Sequence, residues 1–185
     1  SWYAPPFLPC FLSLIAYFFC SQDGDGLVDI LTSRGHNQDW DVCITPNPNT
    51  NNGFQCRTLP ITDAPLEQVR LGRFNSDPRA DLIFSKAAGE WTVCLSQRSI
   101  NTQLQFTCSS WASNSQANKP IAATKFGDFN GDGLTDLLQK DSTPHRWVVR
   151  LSTGSSFANH PQSGLWVGHN GLLESPVLGE FNGDR

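Results

Sequence analysis

Methionine is absent from all 185 residues, and charged side chains make up only 16% of them. Lys+Arg 13 against Asp+Glu 17 leaves a net charge of −4, and no long basic run occurs. Mild acidity without a basic stripe argues against nucleic acid as a partner. The longest apolar run, residues 7–19, falls short of the ~20 residues that a membrane-spanning helix needs. No segment carries a convincing helical period. No phosphate loop, dinucleotide fingerprint or nucleophile elbow is present. His36, His145, His160 and His169 stand alone, without metal spacing or a neighbouring nucleophile. A non-catalytic chain is therefore expected. There is no Asn-x-Ser/Thr sequon, so the sequence gives no support for N-glycosylation.

What is present points to strands. The apolar share of 38% is enough for a core, which excludes a disordered polyelectrolyte. Fifteen Gly and 12 Pro are scattered without period, and 12 Phe and 6 Trp favour β-structure. The lack of Met, and a final Phe181-Asn182-Gly183-Asp184-Arg185 that stops inside a motif completed earlier, predict a piece of a longer chain.

Residues 1–22 carry no charged side chain. The run within them has the length of a signal-peptide core but lacks the preceding basic residues. It reads alternatively as a buried strand, an interfacial segment or a gene-model artefact, since Tyr17 to Ser21 is encodable by a pyrimidine tract ending like a splice acceptor. Residues 1–20 are therefore set apart from residues 21–185.

The remainder is repetitive. Phe126-Gly127-Asp128-Phe129-Asn130-Gly131-Asp132-Gly133-Leu134-Thr135-Asp136-Leu137-Leu138 recurs in weaker form at Leu71 to Ile83, at Asp23 to Leu31, and cut short at Leu178 to Asp184. Equivalent aspartates at 25, 77, 132 and 184 set a period of 52, 55 and 52 residues. The likeness extends to Trp40-Asp41-Val42-Cys43-Ile44-Thr45, Trp91-Thr92-Val93-Cys94-Leu95-Ser96 and Trp147-Val148-Val149-Arg150-Leu151-Ser152, all with the alternation of half-buried strands. Each repeat offers about four strands. The expectation is an all-β chain, a partial β-propeller of four-stranded antiparallel blades, with repeats at about 21–72, 73–127 and 128–179 and the start of a fourth at 180–185. Closed propellers have ~4–8 blades, so either the gene continues or several chains complete a ring.

At these residues the sequence resembles FG-GAP/VCBS repeat proteins, whose blades also occur in the integrin α-subunit propeller. The motif from Phe126 to Leu137 carries the resemblance most strongly, the first repeat well, and the second in degenerate form. It implies a calcium-binding propeller in an extracellular protein, used for adhesion or for binding a protein or glycan ligand. Such blades also sit beside catalytic domains, so an accessory domain of a secreted hydrolase, lyase or toxin is the second reading. A purely structural spacer is the third.

The calcium chemistry can be read from the residues as well. Calcium takes six to eight oxygens, which an Asp/Asn loop supplies at alternate positions. In the third repeat Asp128, Asn130, Asp132 and Asp136 would supply side chains and Leu134 its carbonyl. Ser21, Asp23, Asp25 and Asp29, with the Leu27 carbonyl, form a weaker counterpart in the first. An EF-hand is rejected, because its twelfth position is Gln139 or Thr32 here and strands follow. In the second repeat Arg73 takes the first ligand position. Its guanidinium is expected to pair with Asp77 or Asp81, leaving no metal. The alternative for any one loop is an Asp/Asn/Gly turn without an ion. Where calcium binds, its role is structural.

Cys43 and Cys56, and Cys94 and Cys108, occupy matching places in two repeats, and both places change together in the third, to Arg150 and Asn159. Joint presence and joint loss predict the bridges Cys43–Cys56 and Cys94–Cys108, and with them an oxidising, extracellular setting. No zinc pattern competes. Cys10 and Cys20 are either a third bridge or part of the artefact. Trp40, Trp91 and Trp147 recur at one position and are expected to pack between blades, whereas Trp111 and Trp166 are candidates for exposed contacts.

Overall fold

A computed structural model describes residues 11–12, 17–20, 24–34, 39–46, 49, 53–59, 64, 68–85, 91–98, 104–112, 120–140, 146–159 and 166–167. These residues are all-β, with a 3₁₀ turn at Ile121–Ala123. Three separate antiparallel sheets form, each a meander of sequence neighbours. The first contains β1 (Phe11–Leu12), β2 (Tyr17–Cys20), β3 (Asp29–Arg34), β4 (Asp39–Ile44) and β5 (Gln55–Thr58). The second contains β6 (Val69–Gly72), β7 (Asp81–Ser85), β8 (Trp91–Arg98) and β9 (Leu104–Ala112). The third contains β10 (Lys125–Gly127), β11 (Asp136–Lys140), β12 (Arg146–Ser152) and β13 (Phe157–Asn159), with β14 (Trp166–Val167) also on β12. The strand expected over residues 175–181 lies outside the described residues.

The sheet unit is offset from the sequence repeat. One strand precedes the Asp-rich loop in the second and third sheets, and two, β1 and β2, in the first. Cys20 pairs with Asp29, Gly72 with Asp81 and Gly127 with Asp136. Tyr17–Cys20, taken from the apolar segment, thus holds the same register as Val69–Gly72. The third sheet departs in one place. Where β9 runs the length of β8, with a register shift between Trp91 and Thr92, two short strands, β13 and β14, cover β12.

Side-chain alternation places the core. Trp40 and Val42 of β4 turn toward the second sheet, where they meet Val69, Leu71, Leu82, Phe84 and Cys94. Ile83, Trp91 and Val93 point from the second sheet toward Leu137 of the third and Ile121 of the 3₁₀ turn that precedes it. The second sheet is therefore the middle layer, and β7 is buried at every residue. That explains its unbroken Leu-Ile-Phe run: a strand covered on both faces needs no polar alternation. Register is fixed in the same way, because a one-residue slip would turn Leu82 and Phe84 away from the first sheet. Leu138, Trp147 and Val149 form a third cluster on the far side of the third sheet.

Aromatic rings tie one sheet to the next. Phe157 of β13 lies edge-on to Phe74, Trp91 and Trp111, at centroid distances of 5.9, 6.4 and 5.3 Å. Phe106 packs in the matching way against the cluster shared by the first and second sheets. The burial of Trp40, Trp91 and Trp147 agrees with the expected packing role. Trp111 corrects the expectation of an exposed contact. It is 7% exposed, in contact with Phe74 and Phe157. Large aromatic area lowers free energy most when it is covered, and here a neighbouring sheet covers it. Trp166 lies in β14.

Both expected disulfides form. Cys43 faces Cys56 across β4 and β5, and Cys94 faces Cys108 across β8 and β9. Cys10 lies outside the described residues. In the third sheet Arg150 faces Asn159 in the same register. Arg150 donates from Nη1 to Asn159 Oδ1 and from Nε to Gln139 Oε1 at 2.9 Å. Hydrogen bonds therefore hold the outer strand where covalent bonds hold it in the other two sheets.

This substitution can be reversed. Arg150→Cys with Asn159→Cys should form a third bridge, worth about 2–3 kcal/mol from loop closure, less about 1 kcal/mol for the hydrogen bonds lost. Denaturant unfolding should show the double variant more stable than wild type when oxidised and less stable when reduced. Arg150→Cys alone should be destabilised, because buried Gln139 loses its donor.

Candidate metal centre

The loop between β10 and β11 folds around the Asp128 carboxylate. Asp128 Oδ1 accepts from the Gly131 and Asn130 N–H groups at 2.7 and 3.3 Å, and Oδ2 from Gly133 N–H at 2.8 Å. Asn130 Oδ1 accepts from Asp132 N–H at 3.1 Å, and Asn130 Nδ2 donates to Asp132 Oδ2 at 2.9 Å. Asp132 Oδ1 accepts from Leu134 N–H at 2.7 Å. Gly131 and Gly133 have φ of +79° and +82°, which other side chains rarely adopt, and these two residues let the chain wrap. Asp128 is half-buried, while Asn130 and Asp132 are exposed.

The first loop repeats this design. Leu27 N–H donates to Asp25 Oδ1 at 2.8 Å, and Gly24 and Gly26 have φ of +79° and +84°. Ser21 and Asp23, the other ligands expected there, lie outside the described residues.

The second loop keeps the shape with different residues. Asn75 Oδ1 accepts from Asp77 N–H, Asn75 Nδ2 donates to Asp77 Oδ2, and Asp77 Oδ1 accepts from Arg79 N–H. The expected partner of Arg73 differs. Its Nε donates to the Asp77 main-chain carbonyl at 2.7 Å and its Nη2 to the Ser76 carbonyl at 3.2 Å. The Asp77 carboxylate instead takes Arg79, at 2.8 Å. Asp81 is turned inward by buried amides that need an acceptor.

The sequence assigns Asp29 and Asp136 to metal and Asp81 to Arg73, and the structure gives all three carboxylates a further role. Asp29, Asp81 and Asp136 are fully buried. Asp136 Oδ2 accepts from Phe129 N–H at 2.9 Å and Oδ1 from Ser152 N–H at 2.8 Å. Asp81 does the same with Phe74 N–H and Ser96 N–H, both at 2.9 Å, and with the Ser96 hydroxyl at 3.3 Å. Asp29 Oδ1 accepts from Thr45 N–H at 2.8 Å. Each carboxylate ties the strand it opens to the C-terminal part of the next strand or the residue after it and, among the described residues, in the second and third repeats to the loop as well. The signal was available in the sequence. The aspartate persists in the second repeat, where the first ligand position has become a cation, and Thr45, Ser96 and Ser152 recur opposite it.

Donor chemistry in the third loop suits a hard cation. Every candidate donor is oxygen, and three are carboxylates in one nine-residue loop. Asp128, Asn130 and Asp132 converge on the loop interior with the Leu134 backbone beside them. Asp136 is anchored deeper, each of its oxygens accepting one N–H. An sp² oxygen has a second lone pair, so Asp136 retains acceptor capacity. Among the described residues no three His, Cys, Asp or Glu side chains form a closed metal group.

The three loops sit side by side at one end of the stack. Arg73 N–H donates to Thr135 Oγ1 at 2.8 Å, and Thr135 N–H to the Arg73 carbonyl at 2.6 Å. A Cβ on Gly24 would come within 3.0 Å of Arg79 Cγ and 3.3 Å of Pro78 Cγ. No protein-family model matches the chain, and no curated protein matches it.

Burial pushes the Asp81 carboxyl up from 3.8 to about 6, against the opposing pull of the Ser96 and Phe74 N–H groups. Burial raises Asp136 in the same direction. A folded-state value above the unfolded one favours folding at low pH. The contribution of Asp81 should be fully present below 3.8 and lost as pH rises through about 6. Carboxyl carbon NMR should show an Asp81 midpoint near 6. Between about pH 4 and 6.5 wild type should lose stability relative to Asp81→Asn. A midpoint below the ordinary carboxylate range would show that the hydrogen bonds outweigh burial.

Proposed function

We propose that this chain is part of an extracellular, calcium-stabilised β-propeller of the FG-GAP/VCBS type, acting as a non-catalytic binding or adhesion module for a protein or glycan ligand. The observation that carries the reading is the recurrence of one loop design at the same end of three stacked antiparallel sheets, each containing a four-stranded meander. Stacked meanders with one side facing each neighbour are what blades require. The two disulfides fit an oxidising compartment. Among the described residues no helix is long and apolar enough to cross a membrane.

Asp128, Asn130, Asp132, Asp136 and the Leu134 carbonyl would hold calcium in the third repeat. Asp25, Asp29 and the Leu27 carbonyl, with Ser21 and Asp23, would hold it more weakly in the first. The ion, when bound, supplies the positive charge that offsets three neighbouring carboxylates. The chain's own part is positional. Gly131 and Gly133 bend the loop, loop amides orient Asp128, and buried Asp136 fixes the loop to β12.

Calcium should raise the melting temperature and EDTA should lower it, since a ligand at 100 Kd adds about 2.7 kcal/mol. Asp132→Ala should remove most of that shift. Calorimetry that finds no change in melting at millimolar calcium contradicts the metal assignment.

A further inference from the structure

Arg73 touches two loops at once. Its side chain fills its own loop, donating to the Asp77 and Ser76 carbonyls. Its main chain is doubly hydrogen-bonded to Thr135 of the next loop. Nη1 reaches to 3.7 Å from where a Cβ on Gly133 would stand. Gly133 lies between Asp132 and Leu134, so a guanidinium that stays charged at every physiological pH is held against the wall of the acidic third loop.

We infer that Arg73 is a built-in cation shared by the two loops: it takes the place of a metal in the second and lowers the calcium affinity of the third. This rests on the calcium reading of the third loop. The physical reason is charge. A dication entering beside Asp132 meets a fixed positive charge a few ångströms beyond the loop wall. Residues 130–133 are exposed, so the dielectric around the loop is close to that of water, and through it that repulsion weakens binding by roughly three- to tenfold at low salt. Salt should screen it, since the Debye length falls from ~30 Å at 0.01 M to ~3 Å at 1 M. The same guanidinium steadies the second loop through its two carbonyl contacts, neither of which needs an ion.

Calcium titrations of the 185-residue chain, followed at the Gly131 and Gly133 amides by NMR, test this. Arg73→Met keeps the apolar stem, removes the charge and adds no oxygen donor; Arg73→Lys keeps the charge. Arg73→Met should bind calcium roughly three- to tenfold more tightly than wild type at low salt, the gap closing near 1 M salt, while Arg73→Lys stays near wild type. Arg73→Met should also melt lower than wild type in EDTA, through the second loop. Equal affinities in wild type and Arg73→Met overturn the inference and leave the calcium reading intact. A gap that persists unchanged at 1 M salt overturns it too, since the effect is then not electrostatic. If neither protein shifts the Gly131 and Gly133 amides, the calcium reading itself fails and the inference with it.

Discussion

A buried carboxylate at the foot of each sheet is the constraint on which the other features depend. Asp29, Asp81 and Asp136 stand at the first residue of the second four-stranded-unit strand, where chain leaving the Asp-rich loop enters the sheet. A carboxylate taken out of water is costly unless hydrogen bonds replace its hydration. Asp81 and Asp136 each receive two backbone N–H groups, one from the loop and one from the third strand's end. The N–H groups are satisfied by the same contacts, so neither side can be removed alone without leaving a buried polar group unpaired. Loop, hairpin and outer strands are thereby held in one register. The hydroxyls of Thr45, Ser96 and Ser152 extend these nodes, with Ser152 Oγ donating to the Phe74 carbonyl of the neighbouring sheet.

Much of the fold was legible in the sequence because repetition multiplies weak signals. One Trp-x-Val-x-Leu or Trp-x-Val-x-Ile segment is ambiguous; three in phase at about 50-residue spacing, each followed by Ser or Thr, specify a strand at a fixed place in a unit. The cysteine pairing was legible for the same reason. Positions that change together, as Cys94 and Cys108 become Arg150 and Asn159, are cross-strand neighbours, and the register agrees. The unit boundary was harder to see. Val69–Gly72 and Lys125–Gly127 are too short to stand out, and the conspicuous loop, placed at the start of each repeat, in fact lies inside a hairpin.

The site was only half legible. Spacing identified Asp128, Asn130 and Asp132, whose oxygens gather within a single loop. It could not show that Asp136 is also a buried hydrogen-bond acceptor, because a metal ligand and such an acceptor are the same residue type at the same spacing. Burial reveals the second role, and burial belongs to tertiary packing. Trp111 was misread for a related reason. Its neighbours Ser109 and Ser110 are exposed and polar, so local composition looked like surface, but Phe157 arrives from 46 residues away to cover the indole. Arg73 was expected to seek a carboxylate. Arg79 had already taken that of Asp77, and backbone amides that of Asp81.

Loops in this protein are thus held by two separable devices, a buried carboxylate common to all three units and, among the described residues, an oxygen cluster that is fullest in the third. The first needs no ion. Hydrogen exchange of calcium-free protein in EDTA addresses that division most directly. The amides of Phe74, Ser96, Phe129 and Ser152 donate to buried carboxylates. They should exchange as slowly as those of Val93 and Val149 in the strand centres, and equally in the second and third units. Exchange of the Phe129 and Ser152 amides at the rate of exposed loop amides, with protection restored only by calcium, would contradict the account and make the metal the organising element.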